Sequence, residues 1–222
     1  MEPKHDNKVG RPRDDGLAAR RKAEILETAA KLFAKRGYSK TDVQELADRL
    51  RVGKGTVYRY FPSKQALFFA AADWGIKWVM EQVDRDTRNI QDPLEKIEAG
   101  IYSYLSFFDE HPEFAELLIQ ERAEFRDRKK PTYFEYQEEG MRPWRKLTDN
   151  LIREGRYRNL PVDQILDVTG NLLYGTMFTN FFEGRKKSCR QQAREILDLV
   201  FFGLLSETER KRLSRIEPAP VE

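Results

Sequence analysis

The 222 residues include one cysteine, Cys189, and only two histidines, His5 and His111. A lone thiol cannot close an internal disulfide, so a bridge-stapled fold is excluded and a free thiol in a reducing cytoplasm is expected. No run approaches the roughly 20 consecutive apolar residues that a membrane-spanning helix needs. Residues Met1 to Arg13 are polar and lack the apolar centre of a secretory signal. Gly-rich phosphate loops, nucleophile motifs and Cys/His metal spacings are also missing. The only candidates for acid–base or metal chemistry are His111, Glu121 and Glu124, and His111 reads as the start of a helix. We therefore expect no catalytic residue, no metal, no cofactor and no enzyme.

Charge is plentiful but unevenly spread. Residues 1–64 hold sixteen Lys or Arg against nine Asp or Glu, a balance of +7, so the remainder carries −4 of the total of +3. A basic head on an acidic body suits a module for polyanions fused to something else, although charge runs are also common on plain solvated faces.

Hydrophobic periodicity is helical throughout, and no alternating strand stands out. The predicted fold is all-α with about nine helices, divided into a flexible basic arm over 1–18, a three-helix head over 19–66 and a helical body over 67–222. Ile25, Leu26, Ala29, Leu32 and Phe33 mark one face of the first helix, and Gly37 is placed to stop it. Thr41 with Gln44 has the spacing of a capping box at the start of the second, whose buried side is Val43, Leu46, Ala47 and Leu50. Arg51-Val-Gly53 makes a turn, with Gly53 supplying the freedom. A two-turn helix then carries Val57 and Phe61 to Pro62, and Ser63 caps a long helix toward Arg88. In the body, Asp92-Pro93, His111-Pro112, Pro131, Pro161 and Ser188 mark further starts.

Two short helices joined by a tight turn describe a helix-turn-helix over residues 41–64. Its second helix offers Lys54, Thr56, Tyr58, Arg59 and Tyr60 outward, a mixture of cation, hydroxyl and aromatic groups suited to phosphates and base edges. A generic helical hairpin with inward tyrosines is the competing reading of the same residues.

The segment FAKRGYSKTDVQELADRLRVGKGTVYRYFPSKQALF, Phe33 through Phe68, closely resembles the DNA-binding head of the tetracycline-repressor (TetR) family, most specifically over Val52–Lys64. The resemblance is strong over about 20–70 and extends beyond only to helix layout. It implies that Lys54, Gly55 and Thr56 begin the recognition helix, with Gly55 letting the backbone approach DNA. Tyr58, Tyr60 and Lys64 are implied phosphate contacts. Thr41 and Gln44 lie at the amino end of the preceding helix, which favours a phosphate. Arg59 is a candidate base reader, while Val57 and Phe61 belong to the core. Gly10-Arg-Pro-Arg13 resembles the minor-groove core of an AT-hook, which would send Arg11 and Arg13 into the minor groove; a simple basic tail fits as well.

The resemblance further implies a homodimer on a palindromic operator in double-stranded DNA, a small-molecule effector bound in the body, and repression relieved by that effector. Leu172, Phe178, Ile196, Val200 and Leu204 could face the twin subunit, with Gly170 and Gly175 allowing close approach, or could be buried within one subunit. For the effector pocket, Tyr102, Phe107, Glu121, Glu124, Phe125, Trp144 and Phe178 are candidates. Aromatics at helical spacing equally suit a core, and Glu121-Arg122-Ala-Glu124 equally suits a solvent-facing charged stripe. The rival function is an architectural DNA binder without sequence preference.

Overall fold

The computed structural model describes residues 15–203, so Arg11, Arg13 and Leu204 lie outside the described residues. Among those residues there are nine α-helices and no strand: α1 (Asp15–Arg36), α2 (Val43–Arg49), α3 (Lys54–Tyr60), α4 (Lys64–Thr87), α5 (Pro93–Glu110), α6 (Pro112–Glu124), α7 (Thr132–Arg153), α8 (Val162–Glu183) and α9 (Cys189–Phe202). The first helix begins earlier than its apolar face predicts. Residues 15–18, assigned to the arm from the sequence, are helical, in keeping with the strong helix propensity of Leu17-Ala-Ala-Arg20.

Capping follows the predicted chemistry in the body. Asp92 accepts the N–H groups of Leu94 (2.8 Å) and Glu95 (3.0 Å) ahead of Pro93, and these bonds hold its carboxyl below the usual range. Ser63 and Ser188 cap α4 and α9 in the same way. At α2 the prediction fails. Asp42, not Thr41, is the cap, accepting from Gln44 N at 2.8 Å. Thr41 is buried and its hydroxyl donates back to the Gly37 carbonyl at 2.8 Å, closing the α1–α2 turn instead.

The long helix α4 is the spine. It packs on α1 in the head and on α5, α6 and α7 in the body, so one core runs from Ile25 and Phe33 through Val57, Leu67 and Phe68 to Phe107, Phe114 and Leu117. A second, smaller cluster joins Ile101 and Leu105 of α5 to Cys189, Ala193 and Leu197 of α9. Two glycines permit close approach. A Cβ at Gly75 would land on the Phe114 ring, and one at Gly100 on the Trp144 indole. Trp144 is therefore packing that locks α7 to α5, not the wall of a pocket.

Glu121 is only 1% exposed, so it does not belong to a solvent-facing stripe, whereas Arg122 and Glu124 are exposed. Its carboxylate accepts from Arg128 Nη1 (2.6 Å) and from the backbone N–H of Thr132 (3.0 Å), the first residue of α7. Pro131 precedes α7 and supplies no side-chain cap, so Glu121 performs that task from α6. Arg128 also donates to Glu135 (2.6 Å), and its guanidinium lies 4.4 Å from the Phe69 ring centroid. Removing the carboxylate strands a buried N–H and takes from Arg128 one of its two carboxylate partners. Glu121→Leu should lower unfolding free energy by about 3 kcal/mol in chemical denaturation; a loss below about 1 kcal/mol would contradict the capping role.

Candidate nucleic-acid interface

The exposed chemistry of the head gathers where the first turns of α2, α3 and α4 meet. The turn between α2 and α3 is built differently from the sequence reading. Arg51 takes the left-handed conformation (φ 54°), and Gly53 is extended (φ −71°, ψ 146°) as the residue before α3. Val52 N–H donates to Ala47 O at 3.0 Å and closes the turn. The left-handed position is thus filled by a side chain that must tolerate it, at a site open to solvent.

In α3, Val57 is fully buried and Phe61 just beyond it nearly so, as expected. They join Leu46 and Ala47 of α2 in the core. That anchoring turns the opposite face out: Gly55, Tyr58 (38% exposed) and Arg59 are exposed, with Lys54, Thr56 and Tyr60 half-buried at its margins. The tyrosines do not pack inward as a pair, which removes the generic-hairpin reading. A Cβ at Gly55 would meet nothing within 4 Å, so no packing inside the chain demands glycine there. The Arg59 guanidinium sits 5.6 Å from the Tyr60 ring centroid.

Two of the cations are held by the chain itself. Lys54 Nζ lies 3.2 Å from Asp42 Oδ1, and the carboxyl of Asp42 is held below its ordinary range first by the Gln44 N–H and then by Lys54. Lys64 Nζ donates to the Ser39 carbonyl at 3.0 Å and lies 4.8 Å from the Tyr38 ring centroid. Gln44 is exposed, with its amide donating to Asp48 at 2.7 Å. Thr41 is buried, with its N–H donating to the Tyr38 carbonyl at 3.3 Å and its hydroxyl to Gly37, so it offers neither group to this surface.

Sequence reasoning missed Tyr38 and Ser39, which form the seam between head and body. Ser39 Oγ donates to the Glu124 carboxylate, 3.0 Å from each oxygen. Phe125 packs on Tyr38 (4.8 Å between centroids), Phe68 (5.5 Å) and Phe69 (4.7 Å). Gln120 Nε2 donates to the Phe33 carbonyl at 3.0 Å. The nearest signal in the sequence is Gly37-Tyr38, an aromatic just past a helix stop, which does not by itself name a partner.

The seven residues assigned to an effector pocket do not surround one cavity. Glu124 and Phe125 are in the seam, Glu121 caps α7, and Trp144 covers Gly100. Phe107 is fully buried against Phe114, Trp78 and His111. Tyr102 lies under Arg190 (4.7 Å) on the α5–α9 side, and Phe178 packs along α8 on Tyr174 (4.8 Å). His111 rests on Trp78, 4.4 Å between ring centroids, as a packing residue at the start of α6. Among the described residues, no group of His, Cys, Asp and Glu side chains could hold a metal ion. None of the described helices is long and apolar enough to cross a membrane.

Residues 25–71, covering α1 from Ile25 through α3 to Ala71, match the family described as bacterial regulatory proteins, tetR family. An uncharacterized HTH-type transcriptional regulator of Bacillus subtilis, YerO, is 31% identical over 103 residues, 46% of this chain and 36% of its own length. The chain thus spans about a third of that relative. Over a longer stretch, the HTH-type transcriptional repressor KstR2 of Mycobacterium tuberculosis is 22% identical over 196 residues, 86% of this chain and 96% of its own length. The solved structure of the regulator FadR from Bacillus subtilis in complex with stearoyl-CoA has the same fold, with a TM-score of 0.65 at 18% identity, covering 82% of this chain and 99% of that one. Residues 25–71 thus carry the head of the tetR family of bacterial regulatory proteins, and 82% of the chain shares its helical fold with the regulator FadR.

Proposed function

We propose that the chain is a cytoplasmic, sequence-specific DNA-binding regulator that sits on a palindromic operator as a homodimer, represses transcription there, and is released by a small-molecule effector bound in its body. The observation that carries this reading is the division of α3 into a buried Val57 and an outward polar face in which Gly55 has no packing duty. A residue kept small for no internal reason suits a surface that another molecule approaches closely. Tyr58 and Tyr60 are assigned to phosphates, and Lys54, Thr56 and Arg59 to base edges. Lys54 and Lys64 must leave Asp42 and the Ser39 carbonyl, or share them, to reach DNA. Repression agrees with the role of KstR2, a transcriptional repressor. The buried, unpaired Cys189 suits a reducing cytoplasm.

A single seven-residue helix makes too few contacts for an affinity of about 10⁻⁸ M or better, so two heads are required. The surface offered for pairing is on α8 and α9. Val168 (53% exposed), Leu172, Gly175, Thr179 and Phe182 (68%) follow a four-three spacing along α8, and Leu199 and Phe202 are exposed on α9. Gly170 and Gly175 have open space beside them. Of the residues named from the sequence, Leu172 is exposed, while Phe178, Ile196 and Val200 are half-buried. To these we add Val168, Phe182, Leu199 and Phe202, which are exposed.

Two measurements test the assignment of α3 to the interface. Gly55→Ala should leave thermal stability unchanged or slightly raised, since alanine is the better helix former by about 1 kcal/mol, yet weaken operator binding at least about tenfold, or 1.4 kcal/mol. Tyr58→Phe, which removes one hydroxyl and no charge, should weaken operator binding by about 1 kcal/mol per head while leaving the salt slope unchanged. Both variants binding as the parent does would remove α3 from the interface. For the dimer, Leu172→Asp should convert a dimer to a monomer in sedimentation equilibrium and abolish tight operator binding; a persisting dimer would place the interface elsewhere.

A further inference from the structure

One space in the body is lined by none of the seven residues assigned to a pocket from the sequence. Between the C-terminal half of α5, the first turn of α6 and the last turns of α8 lies a cavity of about 250 Å³. Its inner wall is apolar. Leu105, Phe108 and Met177 are buried, Phe181 is half-buried beside them, and Pro112 closes the side toward α6. At the mouth are Asp109, Asn180 and Arg185.

The polar groups at that mouth are already matched to one another. Arg185 Nε donates to Asp109 Oδ1 at 2.8 Å, and its Nη1 donates to the Lys187 carbonyl at 3.2 Å. Asn180 and Gln192 exchange amide hydrogen bonds at 2.9 and 2.8 Å. An anionic ligand would have to displace Asp109 from Arg185, and a cationic one would have to displace Arg185 from Asp109. Either exchange forfeits a charge-assisted bond to make another. A neutral apolar molecule needs no exchange, and it gains the contacts that an empty apolar wall lacks. An apolar cavity of about 150 Å³ already admits benzene, so a space of about 250 Å³ suits a larger ring system.

We propose that this cavity is where the effector docks, and that the effector class is a compact, uncharged, largely apolar molecule of about one or two rings. The inference rests on the reading that a small molecule releases the protein from DNA. The cavity is well placed for that. Pro112 begins α6, a single helix of 13 residues whose other end carries Gln120, Glu124 and Phe125 in the seam with the head. Met177 and Phe181 belong to α8, the helix that bears the exposed apolar stripe. Filling the space pushes on the two elements that set the position of the heads.

The four methionines supply a direct readout on the full chain. With methyl-¹³C-methionine labelling and naphthalene as probe, the Met177 methyl resonance, assigned with Met177→Leu, should shift saturably while those of Met80 and Met141 stay in place. An unmoved Met177 methyl, or a Met80 methyl shifting in its stead, would overturn the assignment. The anionic analogue 2-naphthoate should bind at least about tenfold more weakly; equal or tighter binding would overturn the uncharged class. Operator binding is measured in the same samples. Occupancy at Met177 with unchanged DNA affinity would count against release by an effector while leaving the cavity assigned. Release by a ligand that leaves Met177 unmoved would overturn this site and leave that reading standing.

Discussion

A helix of seven residues cannot hold itself together in water, because the cost of its first turn is recovered only over many more residues. Everything α3 presents therefore depends on Val57 and Phe61, which bury themselves among Leu46, Ala47 and the long α4. Those two side chains fix the rotation of the helix. With them inward, Gly55, Tyr58 and Arg59 have nowhere to point but outward. The outward surface is in this sense a consequence of core packing, and apart from Tyr60, which packs against the core, its polar residues take no part in that core. The two lysines, Lys54 and Lys64, nonetheless tie the starts of α3 and α4 to the α1–α2 turn and the α2 cap.

The same economy appears at the carboxyl end of α6. Within five consecutive helix positions, Gln120 bonds the end of α1, Glu121 caps α7, and Glu124 takes the Ser39 hydroxyl; Phe125 follows with its ring in the head. Burial and the nearby Glu124 together push the Tyr38 phenol up in pKa, so it stays neutral in the seam at physiological pH. One helical turn thus joins the DNA-binding head, the α6–α7 loop and the start of α7. A displacement of α6 along or across its axis must be felt by the turn that positions Lys64.

Much of this was legible in the sequence, because local signals were strong. The helix starts at Asp92-Pro93, Ser63 and Ser188 are set by capping side chains that act on their own next residues. The motif from Val52 to Lys64 also carries its own core and its own surface. The misreadings share a cause: each turns on a partner distant in the chain, or on a choice between adjacent candidates. Thr41 and Asp42 both suit a cap, and only the closure of the α1–α2 turn on Gly37 assigns Thr41 away from it. Gly53 looks like the flexible residue of the turn, yet Arg51 takes the left-handed position. Glu121, Glu124, Phe125 and Trp144 read as pocket walls because aromatic and charged residues cluster there. Their actual partners, Thr132, Ser39, Tyr38 and Gly100, lie 11 to 87 positions away in sequence.

The central claim is that α3 reads sequence as one half of a two-fold pair. Selecting bound duplexes from random DNA with the purified chain tests it most directly. The account predicts enrichment of an inverted repeat whose half-sites are centred about one or more helical turns apart, bound at least about 10³-fold more tightly than unselected DNA. Enrichment of no consensus, with all duplexes bound alike and with a steep dependence on salt, would contradict it.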